Sequence, residues 1–427
     1  MTAAAIPAQS WLQHYREAIG LLSRNARLYL TGAFLFGIAH AGYQLLFNLY
    51  LRERGLTESV IGGVLASTAT GAALLALPAG FLLLRTRVKP VIITAVVLYV
   101  TALLFLVSWQ DTEMLWLFAF SSGMAMTFYR VSTAPFYMRN SSETERPMLF
   151  SLGFAMIMLS GAVGSIGGGY LVDYFTHLTG DSVIAHRWGL YVSSCVGALA
   201  IIPLLMITSR RPSEEEKRQR IDWSALRGRL PLYGKLFTPF FLVGLGAGFI
   251  IPFLNIFFRD RFTKSADTIG LYFFGVQVAT VIGTLAGPAL VRKFGRIRTV
   301  VLTELVSVPF MLALVYTGEL TIAVIAFLLR AAFMNMGQPV ASNFTMEMVT
   351  KREQGLVNAL IFLAWTGSWM VSTAVGGTLI EHYGYELPMV ITAGLYSVSA
   401  GLYYFFFRKS ERFQDGQFMV RTRGMDA

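Results

Sequence analysis

Twelve long apolar stretches, separated by short polar segments, dominate the hydropathy pattern of this 427-residue chain. A helix needs roughly 20 apolar residues to cross the hydrocarbon core of a bilayer, and each stretch is long enough. The pattern therefore predicts an all-α membrane protein with twelve transmembrane helices. In the first half of the chain we place them at 28–51, 59–84, 88–109, 113–138, 147–175 and 187–208. In the second half they lie at 234–258, 266–291, 297–317, 319–347, 354–380 and 386–407.

The first half of the chain returns in the second half at a nearly constant offset. The stretch Phe47–Gly55, FNLYLRERG, corresponds to Leu254–Phe262, LNIFFRDRF. Further matches, 208 residues apart, are Ile61 with Ile269, Glu145 with Glu353, and Gly168–Asp173 with Gly376–Glu381. Matches spread over a hundred residues at one offset indicate a tandem duplication.

The duplication divides the chain into two pseudo-symmetric six-helix bundles, at 28–208 and 234–407. A linker at 209–233 joins them, and a short tail follows at 408–427. In the N-terminal segment 1–27, residues 8–24 place their apolar side chains largely on one helical face. This suits a short helix in the membrane interface, although a simple lead into the first span explains the pattern equally well.

The charges predict the orientation in the membrane. Hydrophobic residues make up 55% of the chain and charged residues 14%, which is low for a soluble protein. With both termini in the cytoplasm, the predicted inner segments carry 27 of the 35 Lys and Arg residues and the outer loops carry 6. Cytoplasmic loops are enriched in these residues. The net charge of +11 is explained by this asymmetry, so we expect no nucleic-acid partner.

The chemistry-bearing residues do not form a catalytic or metal-binding pattern. Cys195 is the single cysteine, which excludes an internal disulfide and a Cys-cluster metal site. No phosphate-cradling loop and no nucleophile–base pair or His/Asp/Glu cluster is visible. We therefore expect no cofactor, no metal and no enzymatic activity. Short outer loops, and a sequon at Asn140 on the predicted cytoplasmic side, favour a bacterial inner membrane. We also expect a monomer.

Two loops carry degenerate versions of one motif, after the second and the eighth predicted span. Gly80–Lys89 reads GFLLLRTRVK and Pro288–Arg296 reads PALVRKFGR. Both resemble the Gly-x-x-x-Asp-Arg-x-Gly-Arg-Lys loop of the major facilitator superfamily. Leu84 replaces the Asp in the first copy, and the second copy keeps the closing Gly295 and Arg296. By these loops, and by its two six-helix halves, the chain resembles a member of that superfamily.

The resemblance implies a secondary transporter that works by alternating access, with each half a 3+3 inverted repeat. In the family, spans one, four, seven and ten line a central cavity. The run Gly164–Gly169, GSIGGG, is similar to the fifth-span motif of proton-coupled drug antiporters, with Ser in place of Pro. This predicts proton-coupled export of a small amphipathic organic solute. Uptake of a metabolite, including an anionic one, and lipid or lysolipid flipping remain alternatives, as does a receptor role.

Glu304, His40, Arg130 and Arg330 lie well inside predicted spans, where burying a charge is costly and a functional role is the default expectation. Glu304 is a candidate for proton coupling, or a structural hydrogen-bonding residue. Arg130 and Arg330 suit the anionic end of a substrate, or bond to backbone carbonyls and water. His40 shares one helical face with two further polar residues, Gln44 and Asn48. This face predicts a cavity wall with a proton carrier, or a polar stripe that bonds neighbouring helices.

Two further groups complete the candidate set. Polar and aromatic side chains suited to an amphipathic ligand, or to helix packing, are Gln277, Asn335, Gln338, Trp365 and Trp369. Charged residues at the predicted cytoplasmic rim are Arg85, Lys89, Arg296, Arg298, Glu347 and Arg352. By the resemblance this rim forms a gate that holds the halves closed on the inside; the alternative is ordinary snorkelling at the interface.

Overall fold

The computed structural model describes residues 22–143, 145–214, 223–350, 353–414 and 417–420, and most of these lie in helices. We number the helices by membrane span. Those of the first half are α1 (Arg24–Glu53), α2 (Glu58–Arg85), α3 (Val88–Ser108), α4 (Thr112–Asn140), α5 (Arg146–Thr179) and α6 (Ser182–Leu199, continued by Ile201–Met206). Those of the second half are α7 (Trp223–Ile250, then a 3-10 turn at Ile251–Phe253 and Leu254–Phe262), α8 (Ala266–Phe294), α9 (Arg296–Tyr316), α10 (Leu320–Met336, continued by Gln338–Glu347), α11 (Gln354–Tyr383) and α12 (Glu386–Phe407).

The predicted twelve-helix fold is confirmed. Within the described residues, eleven of these helices are long and apolar enough to cross a membrane. The remaining helix, α4, has 29 residues but is less apolar, because it carries Arg130 and several hydroxyl side chains. It packs against α2 and α3, so neighbouring helices surround part of its polar surface.

Prolines explain the interruptions in α7 and α10. Pro252 begins the 3-10 turn of α7, and Pro339 lies in the first turn of the second part of α10. A proline has no N–H group, and its ring clashes with the carbonyl four residues earlier, so it kinks or breaks a helix. At Pro252 and Pro339 the helix is interrupted, whereas Pro78 and Pro135 lie inside continuous helices. The interruption leaves the Pro252 carbonyl free to accept a hydrogen bond from outside its helix.

The chain ends and the linker differ in detail from the predicted boundaries. Helix α7 begins at Trp223, whereas the predicted span begins at 234. An apolar run marks the membrane crossing, but a helix satisfies its backbone hydrogen bonds internally and can continue beyond the apolar run. In the tail, β1 (Glu411–Gln414) pairs antiparallel with β2 (Gln417–Val420). The predicted interfacial helix falls mainly on residues 1–21, which lie outside the described residues.

Each half packs in the same order, as the duplication predicts. In the first half α1 packs on α5 and α6, and α4 packs on α2 and α3. In the second half α7 packs on α11 and α12, and α10 packs on α8 and α9. The principal contacts between the halves are α2 with α11 and α5 with α8. A pseudo-twofold axis therefore relates the two halves.

Glycines allow α2 and α11 to approach closely. A Cβ at Gly62 would lie 2.5 Å from the carbonyl oxygen of Thr373, and one at Gly377 would lie 2.1 Å from that of Glu58. Both distances are too short for a side chain, so this packing requires glycine at both positions. Small residues commonly allow such contacts between membrane helices.

The same contact is repeated between α5 and α8 at positions 208 residues away. A Cβ at Gly270 would lie 2.5 Å from the carbonyl oxygen of Ser165, and one at Gly169 would lie 2.6 Å from that of Ala266. The two contacts that join the halves are therefore copies of each other.

A buried glutamate that begins α11 anchors the start of α7. Glu353 accepts hydrogen bonds from the Thr350 backbone N–H at 2.8 Å, from the Tyr233 hydroxyl at 2.8 Å and from Arg229 at 2.9 Å. Burial by itself raises the pKa of Glu353, but the bonds from Thr350 and Tyr233 and the charge of Arg229 outweigh it. The net effect holds the pKa of this carboxyl below its usual value.

Glu145, its counterpart in the first half, has the same role. Its carboxylate accepts from the backbone N–H of Ser23 at 2.8 Å and of Ser142 at 3.4 Å. Ser142 and Thr350 are themselves 208 residues apart. The repeated glutamate seen in the sequence is therefore a repeated structural anchor.

We expect Glu353→Gln to destabilise the protein by roughly 1–3 kcal/mol at pH 7, the usual worth of hydrogen bonds to a charged group. Because the folded-state pKa is depressed, the stabilisation is present above the unfolded pKa of about 4.3 and is lost as the pH falls through the folded value. The gap in unfolding free energy between wild type and variant should shrink from pH 6 to pH 3.5. Thermal unfolding of purified protein across this range measures it, with the exposed-pair variant Glu386→Gln as control. A gap that does not change with pH would contradict this assignment.

Candidate functional site: a central cavity closed at one face

The two halves meet through hydrogen bonds at one end of the bundle. We call the end where α1 begins and α12 ends the linker face, and the opposite end the distal face. Near the distal face Asn48 donates to the Pro252 carbonyl at 2.6 Å, and Asn255 donates to the Leu45 carbonyl at 2.7 Å. Donors and acceptors are each 207 residues apart, so the two bonds are pseudo-symmetric copies. Both asparagines are buried.

Ion pairs beside these bonds also cross between the halves. Arg52 donates to Asp260 at 3.1 Å, and Arg259 donates to Glu53 at 2.6 Å. Arg259 also contacts Asp260, and Arg52 contacts Glu58. Arg52 and Arg259, which correspond to each other in the repeat, therefore each pair with the acid of the other copy. Together Asn48, Arg52, Glu53, Asn255, Arg259 and Asp260 form what we call the distal seal.

The position of Asn48 corrects the prediction that it faces the cavity with His40 and Gln44. Helical spacing places the three on one side of α1, but it does not show how deep the opposite half reaches along that side. At the level of Asn48 the interrupted part of α7 occupies the space and offers the Pro252 carbonyl. Asn48 therefore closes the cavity instead of lining it.

A cavity of about 370 Å³ lies in the second half, among α7, α8, α10, α11 and α12. Its polar and aromatic lining residues are Arg330, Asn335, Gln338, Trp365, Trp369 and Tyr396. The walls between them are apolar and include Leu254, Phe273, Val276 and Phe327. Five predicted cavity residues come together here, and Tyr396 joins them without having been singled out in the sequence.

Three buried polar groups in this cavity have no hydrogen-bond partner. They are Nε of Arg330, Nε1 of Trp369 and the Tyr396 hydroxyl; the first two can only donate, whereas the hydroxyl can also accept. The Arg330 side chain lies within electrostatic reach of Tyr396 on α12. Asn335, in contrast, donates to the Ala331 carbonyl at 2.8 Å. The Trp365 and Trp369 rings lie 6.0 Å apart and form an aromatic wall beside the unpaired donors.

A family model described as Major Facilitator Superfamily matches residues 29–262 and 236–419. The chain belongs to the Major Facilitator Superfamily. The resemblance seen in the two loop motifs and the duplicated halves is thereby confirmed, and the protein is placed in a superfamily of membrane transporters. No curated protein matches the chain by sequence.

Solved structures of superfamily members share the fold over nearly the whole chain. A bacterial homologue of the human lysosomal transporter Spinster, in an inward-facing and occupied conformation, has a TM-score of 0.72 at 16% identity, covering 95% of this chain and 99% of its own. A D-xylose–proton symporter has a TM-score of 0.69 at 16% identity, covering 91% and 97%. The nucleoside transporter NupG has a TM-score of 0.67 at 16% identity, covering 90% and 99%. At this identity the likeness concerns the fold.

A separate cluster of polar side chains lies in the first half, on α1, α3 and α4. Nδ1 of His40 lies 2.7 Å from the Tyr99 hydroxyl, and Nε2 lies 3.2 Å from the Gln44 amide nitrogen. Arg130 lies within electrostatic reach of His40 and Tyr99 and is exposed. Both imidazole nitrogens of His40 therefore have partners within its own half, as in the polar-stripe interpretation.

Glu304 and Gln277 are not among the residues that line this cavity, although Glu304 lies within electrostatic reach of Tyr396, which does line it. Glu304 is buried on α9 beside Ser399 of α12, and one of its carboxyl oxygens has no hydrogen-bond partner. Within the described residues it makes no ion pair, so its role in proton coupling stays a prediction. The Gln277 amide packs against Gly161, where α8 meets α5.

The predicted gate residues at the linker face bond within their own halves. Arg296 pairs with Glu347, and both belong to the second half. Lys89 donates to the Leu205 carbonyl at 2.6 Å, and both belong to the first half. A gate requires bonds between the halves, and these two contacts do not supply them in this conformation.

The other residues of the predicted gate also show no bond between the halves within the described part of the chain. Arg85 and Arg298 are exposed, and Arg352 lies outside the described residues. Among residues that the structure describes, the hydrogen bonds and ion pairs that join the two halves all lie toward the distal face. A gate at the linker face therefore stays a prediction, for a conformation in which that face is closed.

Proposed function

We propose that the protein is a proton-coupled exporter that moves a small amphipathic organic solute by alternating access. The observation that carries the proposal is the distal seal, a pseudo-symmetric set of contacts between the halves. Rocking the halves about the α2–α11 and α5–α8 contacts would break the seal and expose the cavity to the other side. A solute held between the halves would then cross without an open pore.

The excess of Lys and Arg near the linker face supports its assignment to the cytoplasm, and with it a bacterial inner-membrane location with both termini inside. In that orientation the distal seal lies on the periplasmic side, and we infer that the cavity is reached from the cytoplasm in the present conformation. An exporter takes up its solute in this state.

Likeness to proton-coupled drug antiporters at Gly164–Gly169 supports the direction and the coupling ion. A buried carboxyl such as Glu304, which makes no ion pair within the described residues, suits a group that gains and loses a proton during the cycle. His40 is the second candidate proton carrier. Because both of its ring nitrogens have partners, Tyr99 and Gln44, it is less available than Glu304 to gain and lose a proton.

An export-deficient bacterial host that produces this protein should accumulate less of at least one fluorescent compound in a panel of cations, zwitterions and anions. A protonophore should abolish the difference, because it removes the driving force. Cells with an empty vector provide the baseline, and Arg330→Ala tests the part played by the cavity arginine.

Raised accumulation would overturn export in favour of uptake, the function class of a symporter such as the D-xylose–proton protein. Lower accumulation that persists with the protonophore would remove the proton from the proposal. No change for any compound would contradict export of amphipathic solutes, and transfer of fluorescent lipids across the membrane would then be measured.

A further inference from the structure

We propose that the cavity in the second half binds its solute through an anionic group, with Arg330 and Trp369 as the donors that hold it. This rests on the proposed transport function and names the substrate class. The solute carries a carboxylate or another oxyanion at one end and an apolar, preferably flat, body at the other.

The polar groups of the cavity favour an acceptor as ligand. Arg330 and Trp369 have donors and no acceptor, and Nε of one and Nε1 of the other are buried and unpaired. A buried donor that lost its water on folding and gained no acceptor is destabilising, more so when it carries charge. Such a penalty is removed when a ligand brings the missing acceptor into the cavity.

The net charge of the site excludes a simple cation. Arg330 is 6% exposed, and within the described residues no carboxylate pairs with it or lines the cavity. A cationic solute would meet an uncompensated positive charge at low dielectric constant. A planar guanidinium is well matched to a carboxylate, which it can bind through two parallel hydrogen bonds.

The other residues that line the cavity indicate the shape and polarity of the rest of the ligand. Phe273, Phe327 and Leu254 form apolar walls, and the tilted pair of Trp365 and Trp369 offers ring faces. A volume of about 370 Å³ falls at the small end of the range for ligand pockets. A single ring with a short chain and one anionic end fits this description.

The test uses three probes of the same shape and different charge, namely 4-phenylbutyrate, 4-phenylbutanamide and 4-phenylbutylamine. Each is titrated up to millimolar concentration into purified full-length protein in nanodiscs, by calorimetry and by the shift in thermal unfolding. We expect the acid to bind at least about 10-fold more tightly than the amide, since a hydrogen bond to a charged group has this worth. The amine should bind most weakly.

Matched variants assign this preference to its residues. In Arg330→Gln the ratio of the affinities for the acid and the amide should fall to about 1. Arg330→Lys should keep part of the preference for the acid because the charge remains. Trp369→Phe keeps a ring and removes the N–H, so it should weaken binding of the acid by about 3- to 10-fold and leave binding of the amine unchanged. Arg54→Gln, on the exposed distal surface, is the control for a lost arginine. Should Arg330→Gln fail to fold, Arg330→Lys and Trp369→Phe decide the question.

Three results would overturn the assignment. Wild type could bind the amide or the amine as tightly as the acid, the preference for the acid could survive in Arg330→Gln, or the acid could fail to bind. Acid binding without proton-driven efflux would contradict the export proposal and leave this one standing. Proton-driven efflux without a preference for the acid would contradict the anion-binding assignment and leave the export proposal standing.

Discussion

Gly377→Ala should abolish transport, whereas Gly367→Ala on the same helix should leave it intact. A methyl group at position 377 would lie 2.1 Å from the Glu58 carbonyl oxygen and 3.0 Å from Cα of Gly62. Contacts between carbon atoms are favourable at about 3.5–4 Å. Both neighbours are backbone atoms, so they cannot rotate away, and α2 and α11 must separate. At Gly367 no atom lies within 4 Å of the added group.

The expected effect is large because the clash destabilises one conformation selectively. Overpacking costs roughly 1–3 kcal/mol, and here the cost falls on the state with a closed distal face. About 3 kcal/mol would shift the ratio of closed to open protein roughly 100-fold. The control substitution should not lower stability, because alanine favours helix over glycine by roughly 1 kcal/mol.

Two measurements separate this effect from misfolding. Efflux reports turnover, and labelling by a membrane-impermeant maleimide reports access from outside, with Ala331→Cys as the cavity probe in a Cys195→Ser background. We expect Gly377→Ala to be labelled faster than Gly367→Ala while both elute as the same folded species. Equal efflux and equal labelling of the two variants would show that the α2–α11 contact does not control closure.

Asp260→Asn should loosen the distal seal without blocking transport. Asp260 accepts from Arg52 at 3.1 Å and from Arg259 at 2.6 Å, so its loss leaves two guanidinium groups close together. Side chains in this network are 19–30% exposed; the exception is Glu58, at 10%. Because solvent screens partly exposed pairs, we expect the cost to the closed state to be about 1–2 kcal/mol. That corresponds to an increase of roughly 5- to 30-fold in the open fraction.

The same maleimide assay tests this, with two comparisons built into the chain. Glu53→Gln removes an acid that pairs with Arg259 alone, so its effect should be smaller than that of Asp260→Asn. Glu386→Gln breaks an ion pair with Arg261 at 3.0 Å on the same face but within the second half, so access should not change. An effect of Glu386→Gln as large as that of Asp260→Asn would assign the change to general surface charge and contradict the seal.

Much of the candidate site was accessible from residue types and spacing. Arg330, Asn335 and Gln338 were selected because polar and charged groups inside an apolar helix are costly and few, and the structure places all three in one cavity. Tyr396 was missed because a tyrosine in a membrane helix carries no such signal. The charges of the distal seal were noticed as a repeat, yet their pairing across the halves was not foreseen.

The twelve helices, the duplication and the two halves can all be derived from the amino-acid sequence. Each of these follows from local information, since a helix in lipid satisfies its own backbone hydrogen bonds and an apolar run of the right length suffices to predict it. The repeated residues then imply a repeated structure, and Glu145 with Glu353 shows the same anchor twice.

The contacts between the halves, and the face at which they lie, become visible only in the folded protein. Asn48 and Pro252 are separated by about two hundred residues, and no local pattern shows that one closes on the other. The closed face depends on the difference in free energy between two packings of the same helices, and such differences amount to a few kcal/mol. The unpaired donors of Arg330 and Trp369 likewise appear only when every neighbouring acceptor has been placed.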